Sequence, residues 1–222
     1  MEENAPLYFK VIPVVILIFS IILHEISHGV AALLCGDTTA KDAGRLSLNP
    51  IKHIDIFGSI ILPAILVITN AGFWIGWAKP VPVNLARCRN PRTAMWVTAL
   101  AGPLTNILLA IISFGLFIGI IFAGNSLNEN TYEILRTSAE MGFLINFGLA
   151  FFNLCPIPPL DGSKIIASIL PVNLMVKYLS LERFGFIIII ILANTKFFSW
   201  CIGGLMNGVL DIANGLLKII FN

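Results

Sequence analysis

The stretch "IILHEISHGVAALL", residues 21–34, sets two histidines and a glutamate inside a run that otherwise reads as apolar helix. His24 and His28 are four residues apart, so on a helix both rings leave from one face with their Cβ atoms about 5–6 Å apart. That spacing suits two nitrogen ligands on one zinc ion. Glu25 sits beside the first of them, where its carboxylate can reach a water on the metal; this is the HExxH arrangement of metalloproteases. The bland alternative is a pair of core histidines with a solvated glutamate. Here that alternative carries a further cost, because an ionised acid at membrane depth is unfavourable by roughly 3 kcal/mol on insertion scales.

Everything around the stretch is apolar. The 222-residue chain is 57% hydrophobic and 12% charged, with a mean hydropathy of +0.91, whereas soluble domains carry about 25% charged residues. Several apolar segments approach or exceed the roughly 20 residues that cross a bilayer core, and the polar connections are short. The expectation is an all-α polytopic membrane protein, a bundle of about five to six membrane segments forming a single domain over residues 1–222. A net charge of +2 and the lack of a basic run interleaved with aromatics exclude a nucleic-acid partner. Cys35, Cys88, Cys155 and Cys201 show no CxxC spacing and read as small apolar fillers. Without a basic n-region or a small-residue cleavage site, the first apolar segment reads as a retained span.

The first helix is expected from about Leu7 to Leu34, tolerating Pro13 early, with Gly36 as its stop. A second apolar segment, 54–77, is interrupted by Pro63 and by "TNAG" at 69–72. "GWAKPVPVN", residues 76–84, alternates and holds two prolines, which suits an extended strand or a short edge hairpin. Further spans are expected over 92–123, 138–155 and 184–200, with a shorter amphipathic helix over 162–180. The segment to Asn222 reads either as an interfacial helix or as one more crossing. Basic residues gather at 36–53 (Lys41, Arg45, Lys52) and 79–92 (Lys79, Arg87, Arg89, Arg92), which puts both connections on the cytoplasmic side. Segment 54–77 would then enter and leave on one face, as a re-entrant element.

A catalytic zinc site commonly has three protein ligands and one open position. Asp161 is the best third donor, because "PIPP" breaks the preceding helix and Gly162 lets the backbone bend close to the metal. His53 competes, but it follows "LNPIK" in a polar connection and reads there as a structural or substrate-facing histidine. Depth agrees with the first choice. From Leu7 to His24 is 17 residues, or about 26 Å of helix, and from His28 to Cys35 is about 10 Å, so the metal would lie just below the cytoplasmic surface, where a descending helix also delivers Asp161.

"HEISHG", "AGPLTN" and "FNLCPIPPLDG", in this order and each in an apolar setting, resemble the site-2 protease family of intramembrane zinc metalloproteases. "GRLSLNPIKHIDIFGSIILP" and "GWAKPVPVN" resemble one compact prokaryotic branch of it, without PDZ or CBS domains. The resemblance implies zinc on His24, His28 and Asp161, with Glu25 as general base. It also implies that Asn153, eight residues before the aspartate, orients the substrate peptide or its oxyanion. Gly102, Pro103 and Asn106 match the family's GPxxN element, for which packing beside the site is inferred. A multi-pass protein of a prokaryotic cytoplasmic membrane follows from the same likeness.

Substrates would be transmembrane segments of other membrane proteins, unwound before attack and cut to release a cytoplasmic fragment. The free edge of "GWAKPVPVN" could hold such a peptide extended by strand addition through Val81 and Val83; a rigid interfacial loop is the other reading. Asn106 and His53 complete the substrate-facing candidates. A membrane metal-ion carrier and a catalytically inactive scaffold that binds membrane helices remain as rival classes, against which the glutamate beside the first histidine argues. The sequence names neither a substrate nor an oligomeric state.

Overall fold

The computed structural model describes residues 6–61 and 78–185 continuously, and only isolated positions within 62–77 and 186–222. Helix α1 spans Leu7–Leu34 with Pro13 inside it. It closes on a left-handed glycine, Gly36 at φ +107°, with Gly36 N–H donating to Leu33 O (3.0 Å) and Asp37 N–H to Ala32 O (2.9 Å). This is the paired bonding of a Schellman stop. The one-turn helix α2, Thr39–Asp42, ends the same way: Gly44 has φ +63°, and Arg45 N–H donates to Ala40 O at 2.9 Å. In both turns the residue after the glycine carries the charge used further on, Asp37 and Arg45.

Short turns of 3₁₀-helix at Pro50–His53 and Leu85–Arg87 and a π-turn at Ile56–Ile61 lie in the connections. Helix α3, Pro91–Ala123, starts with proline at its first position and with Asn90 accepting from Thr93 N–H, the residue types that favour a helix start. Helix α4, Glu129–Leu154, is capped by Asn128, which accepts from Thr131 N–H at 2.9 Å. The amphipathic stretch expected over 162–180 is two helices, α5 (Asp161–Ile169) and α6 (Val172–Leu179). Pro171 separates them, and Leu170 before it is extended at ψ 150°, as the residue preceding a proline prefers.

Packing is inside out relative to a soluble protein. α3 lies against α4, α1 and α5, and α1 also meets α4. The buried apolar positions are mainly small, among them Ala31, Ala32, Ala94, Ala99, Ala110, Ala139 and Ala150, while Val14, Val15, Phe19, Leu108, Ile111 and Leu116 are exposed. Small residues at helix contacts with bulky ones outside are the pattern of helices packed in lipid. Two helices, Tyr8–Leu34 and Pro91–Ala123, are long and apolar enough to cross a membrane, and only 17% and 11% of their most apolar windows are buried inside the protein. A core helix of a soluble domain would have most of that surface covered.

The described residues bear on two expectations. Of the five to six membrane segments, two helices qualify by length and composition among the described residues, and the span expected over 138–155 lies in the C-terminal part of α4, which also carries Glu133, Arg136 and Glu140. Most of 54–77 and of the segments after residue 185 lies outside the described residues. No strand or hairpin occurs among the described residues, and Lys79–Asn84 runs as irregular chain. Pro80 and Pro82 supply no N–H, and side chains take donors and acceptors that a ladder would need. Val81 N–H donates to Glu25 Oε2 (2.8 Å), Asn84 N–H to Asp37 Oδ2 (2.6 Å), and Arg45 Nη2 to the carbonyl of Lys79 (2.8 Å).

Candidate metal centre

α1 presents His24 and His28 one turn apart, as their spacing requires, and the two rings meet edge to face with centroids 4.6 Å apart. α5 begins at Asp161 immediately after the proline-rich break, so its carboxylate enters at the helix start against α1. His24 Nε2 and His28 Nε2 are 3.0 Å apart, and Asp161 Oδ2 lies 3.1 Å from the first and 3.2 Å from the second. His24 and Asp161 are buried, at 7% and 5% exposure. Two glycines make this approach possible. A Cβ on Gly102 of α3 would come within 2.5 Å of His24 Cε1 and Nε2 and 2.6 Å of His28 Cε1, and one on Gly162 would collide with the backbone carbonyls of Leu154 and Cys155.

The far side of each ring is anchored. His28 Nδ1 lies 2.6 Å from the carbonyl of Thr98; a carbonyl only accepts, so Nδ1 carries a proton, and the ring in its neutral, ligating form turns its lone pair inward at Nε2. His24 Nδ1 lies 2.5 Å from Asn106 Oδ1, which leaves its Nε2 in the same state. In that form two imidazole nitrogens and a carboxylate oxygen, three lone-pair atoms, face one another at hydrogen-bond distance. Such a group is suited to holding a cation. Ligands at about 2.0–2.1 Å from a tetrahedral ion are about 3.3–3.4 Å apart, close to the observed triangle. The donor set fits a metal held on three ligands with a further position open.

Glu25 belongs to the same cluster, since a carboxylate oxygen of it and the two histidine nitrogens lie within 4.8 Å of one another. Its Oε2 is occupied by Val81 N–H. The other expected residues are placed as follows. His53 is buried, and its Nε2 lies 2.8 Å from Ser47 O within its own connection, so the structure joins Asp161 and not His53 to the histidine pair. Asn106 is fully buried behind His24. Asn153 donates through Nδ2 to Leu149 O of its own helix at 3.0 Å. Val83 is half-buried, and its N–H has no hydrogen-bond partner among the described residues.

Sequence reasoning did not single out Asn146. It is buried and accepts from Asn106 Nδ2 at 2.9 Å. A signal was available, for Gly142, Asn146, Ala150 and Asn153 recur at helical spacing on one face of α4, and Asn146 and Asn153 are the polar side chains of the otherwise apolar run 141–154.

No family model matches the chain, and no solved structure matches it. Curated relatives do. YwhC of Bacillus subtilis, named a zinc metalloprotease, is 38% identical over 208 residues, covering 94% of this chain and 91% of its own. Rip2 of Mycolicibacterium smegmatis, also named a zinc metalloprotease, is 27% identical over 179 residues, 80% of this chain and 64% of its own. A Methanocaldococcus jannaschii protein with the same kind of name is 47% identical over 68 residues, 31% of each chain.

Proposed function

The chain belongs to the site-2 protease family of zinc metalloproteases, and we propose that it hydrolyses peptide bonds within or beside the transmembrane segments of other membrane proteins, from the cytoplasmic side of a prokaryotic membrane. The observation that carries this is the convergence of His24 Nε2, His28 Nε2 and Asp161 Oδ2 to within 3.0–3.2 Å on an apolar helix whose outer surface is exposed. His24, His28 and Asp161 would hold zinc, which when bound supplies the Lewis acidity that lets water be deprotonated near neutral pH.

Glu25 is the general base, taking the proton from the attacking water and passing it to the leaving amine. The Val81 N–H aims the Glu25 carboxylate and keeps one oxygen committed, leaving the other for the proton. Val83 then offers the unpaired donor of the Lys79–Asn84 segment to an extended substrate. Val81 and Val83 share one edge if the segment is extended, so the peptide would lie beside the base. Asn153 would turn from Leu149 O to the substrate carbonyl. His53 supports the connection that the segment rests on, since Lys79 N–H donates to its carbonyl at 2.9 Å.

The test uses the purified full chain in lipid with a model transmembrane substrate. Zinc-dependent cleavage that Glu25→Gln abolishes, with zinc retained, is expected. Zinc movement across vesicles without cleavage would indicate a carrier, and substrate binding without cleavage an inactive scaffold.

A further inference from the structure

His28 has its proton fixed by a backbone carbonyl, which cannot donate. His24 has no such anchor. Its Nδ1 meets a side-chain amide, and a carboxamide can present either end, an oxygen or an NH₂. If Asn106 presents oxygen, the proton sits on His24 Nδ1 and Nε2 keeps its lone pair; if it presents nitrogen, the proton moves to Nε2 and the ring can no longer ligate through that atom. Asn106 is 0% exposed, so no solvent is at hand to satisfy a wrong orientation.

The choice is made one residue further out. Asn106 Nδ2 donates to Asn146 Oδ1 at 2.9 Å, and Asn146 Nδ2 donates to the carbonyl of Gly142, also at 2.9 Å. A carbonyl has two lone pairs, so Gly142 O can serve both its helix and this amide, but it can only accept. Read back from that end, each amide has a single orientation in which both its ends pair. Asn146 must turn NH₂ to Gly142 and oxygen to Asn106. Asn106 must then turn NH₂ to Asn146 and oxygen to His24. Asn146 is 3% exposed, so reversing the chain would turn two acceptors against each other in a nearly solvent-excluded place, a costly arrangement at low dielectric.

We infer that Asn146 is a positioning residue for the metal: through Asn106 it fixes which nitrogen of His24 carries the proton, and so keeps Nε2 available as a ligand. The inference rests on the reading of His24 as a zinc ligand. It separates two roles for the same buried amide, since a packing role depends on volume alone and this role depends on the two ends of Asn106 being different.

Zinc affinity of the purified full chain, measured by competition with a chromophoric chelator, tests it in four forms: wild type, Asn146→Ala, Asn106→Asp and the double variant. Asn146→Ala should weaken zinc binding roughly 10- to 100-fold, as loss of an outer support of a ligating histidine does. A carboxylate at position 106 offers oxygen at either end, so in the Asn106→Asp background the same alanine should cost less than about threefold. Equal losses in both backgrounds would reduce Asn146 to packing and overturn the inference. Should Asn106→Asp fail to fold, ¹⁵N resonances of labelled histidine in zinc-free protein read the proton directly: on Nδ1 of His24 in wild type, shifted toward Nε2 in Asn146→Ala. An unchanged tautomer overturns the inference. A wild-type chain that binds no zinc overturns the functional reading and this inference with it, whereas zinc held equally by wild type and Asn146→Ala overturns the inference alone.

Discussion

Glu25 and Asp161 are both carboxylates within reach of the same two imidazoles, yet the proposed function gives them different work because their partners differ. Asp161 Oδ2 closes a triangle with both Nε2 atoms, whereas Glu25 Oε2 is held by a backbone N–H. Glu25→Gln should therefore keep full zinc occupancy while losing about 100- to 10,000-fold in turnover, the range of general acid–base catalysis; metal analysis beside a cleavage assay separates the two. Asp161→Ala should lose zinc and activity together, and zinc retained in that variant would remove the residue from the site. Gly102→Ala puts a methyl group against both rings, so it should disturb the ligands although no functional group is lost; a misplacement of about 1 Å costs roughly 100-fold in rate. The histidine pair was legible because helical periodicity alone puts positions 24 and 28 on one face. Asp161 was legible as the acid after a proline break. Asn106 was placed beside the site only by the resemblance, and Asn146 was not singled out, because an amide in an apolar run announces neither its depth nor its partner and only the fold brings α3 and α4 together at 106 and 146.

Among elements, Lys79–Asn84 departs most from its sequence expectation. Alternation and prolines suggested a strand, but strand pairing needs a neighbour, and a single chain cannot show whether backbone groups meet another backbone or side chains. Here side chains win, and two of the three come from residues following left-handed glycines, Asp37 and Arg45. Burial pushes the Asp37 carboxyl up, but hydrogen bonds from the Thr39 hydroxyl, the Asn84 N–H and the Thr39 N–H, with Arg87 nearby, outweigh it and hold the group below the usual carboxylate range. A lowered folded-state value stabilises above the ordinary carboxylate range and is lost as pH falls through the lowered value. The hold on Asn84 should thus survive mild acid in wild type, and Asp37→Ala should make protease sensitivity of this segment high and nearly independent of pH; a pH-dependent segment in Asp37→Ala would mean another group holds it. Val81→Pro frees Glu25, while Val83→Pro removes only the open donor. Val83→Pro should cut turnover of a membrane substrate sharply with zinc content unchanged, and Val83→Ala should do much less. Equal losses would point to a side-chain pocket.

At the scale of the whole molecule, composition was enough to foresee a helical membrane protein, and the exposed bulky and buried small residues of α1 and α3 bear out that reading of the apolar runs. Of the expected crossings, α1 and α3 qualify among the described residues, and the span expected over 138–155 belongs to α4, which also carries Glu133, Arg136 and Glu140. The two basic connections lie together at the C-terminal end of α1, joined by Arg89 N–H to Cys35 O and by Asn84 N–H to Asp37. Single cysteines at Lys41 and Arg87, in a background lacking the native ones, should therefore be labelled by an impermeant thiol reagent from the same face; labelling from opposite faces would contradict the arrangement. The central claim is that an ion held by His24, His28 and Asp161 performs peptide hydrolysis at membrane depth. The most direct measurement is cleavage of a transmembrane substrate by the purified chain in lipid, with zinc removed by chelation and then restored, in wild type and Glu25→Gln side by side. The account predicts that wild-type cleavage disappears with the metal and returns with it, and that Glu25→Gln binds zinc without cleaving. Cleavage that persists in Glu25→Gln, or that ignores removal of zinc, would contradict it.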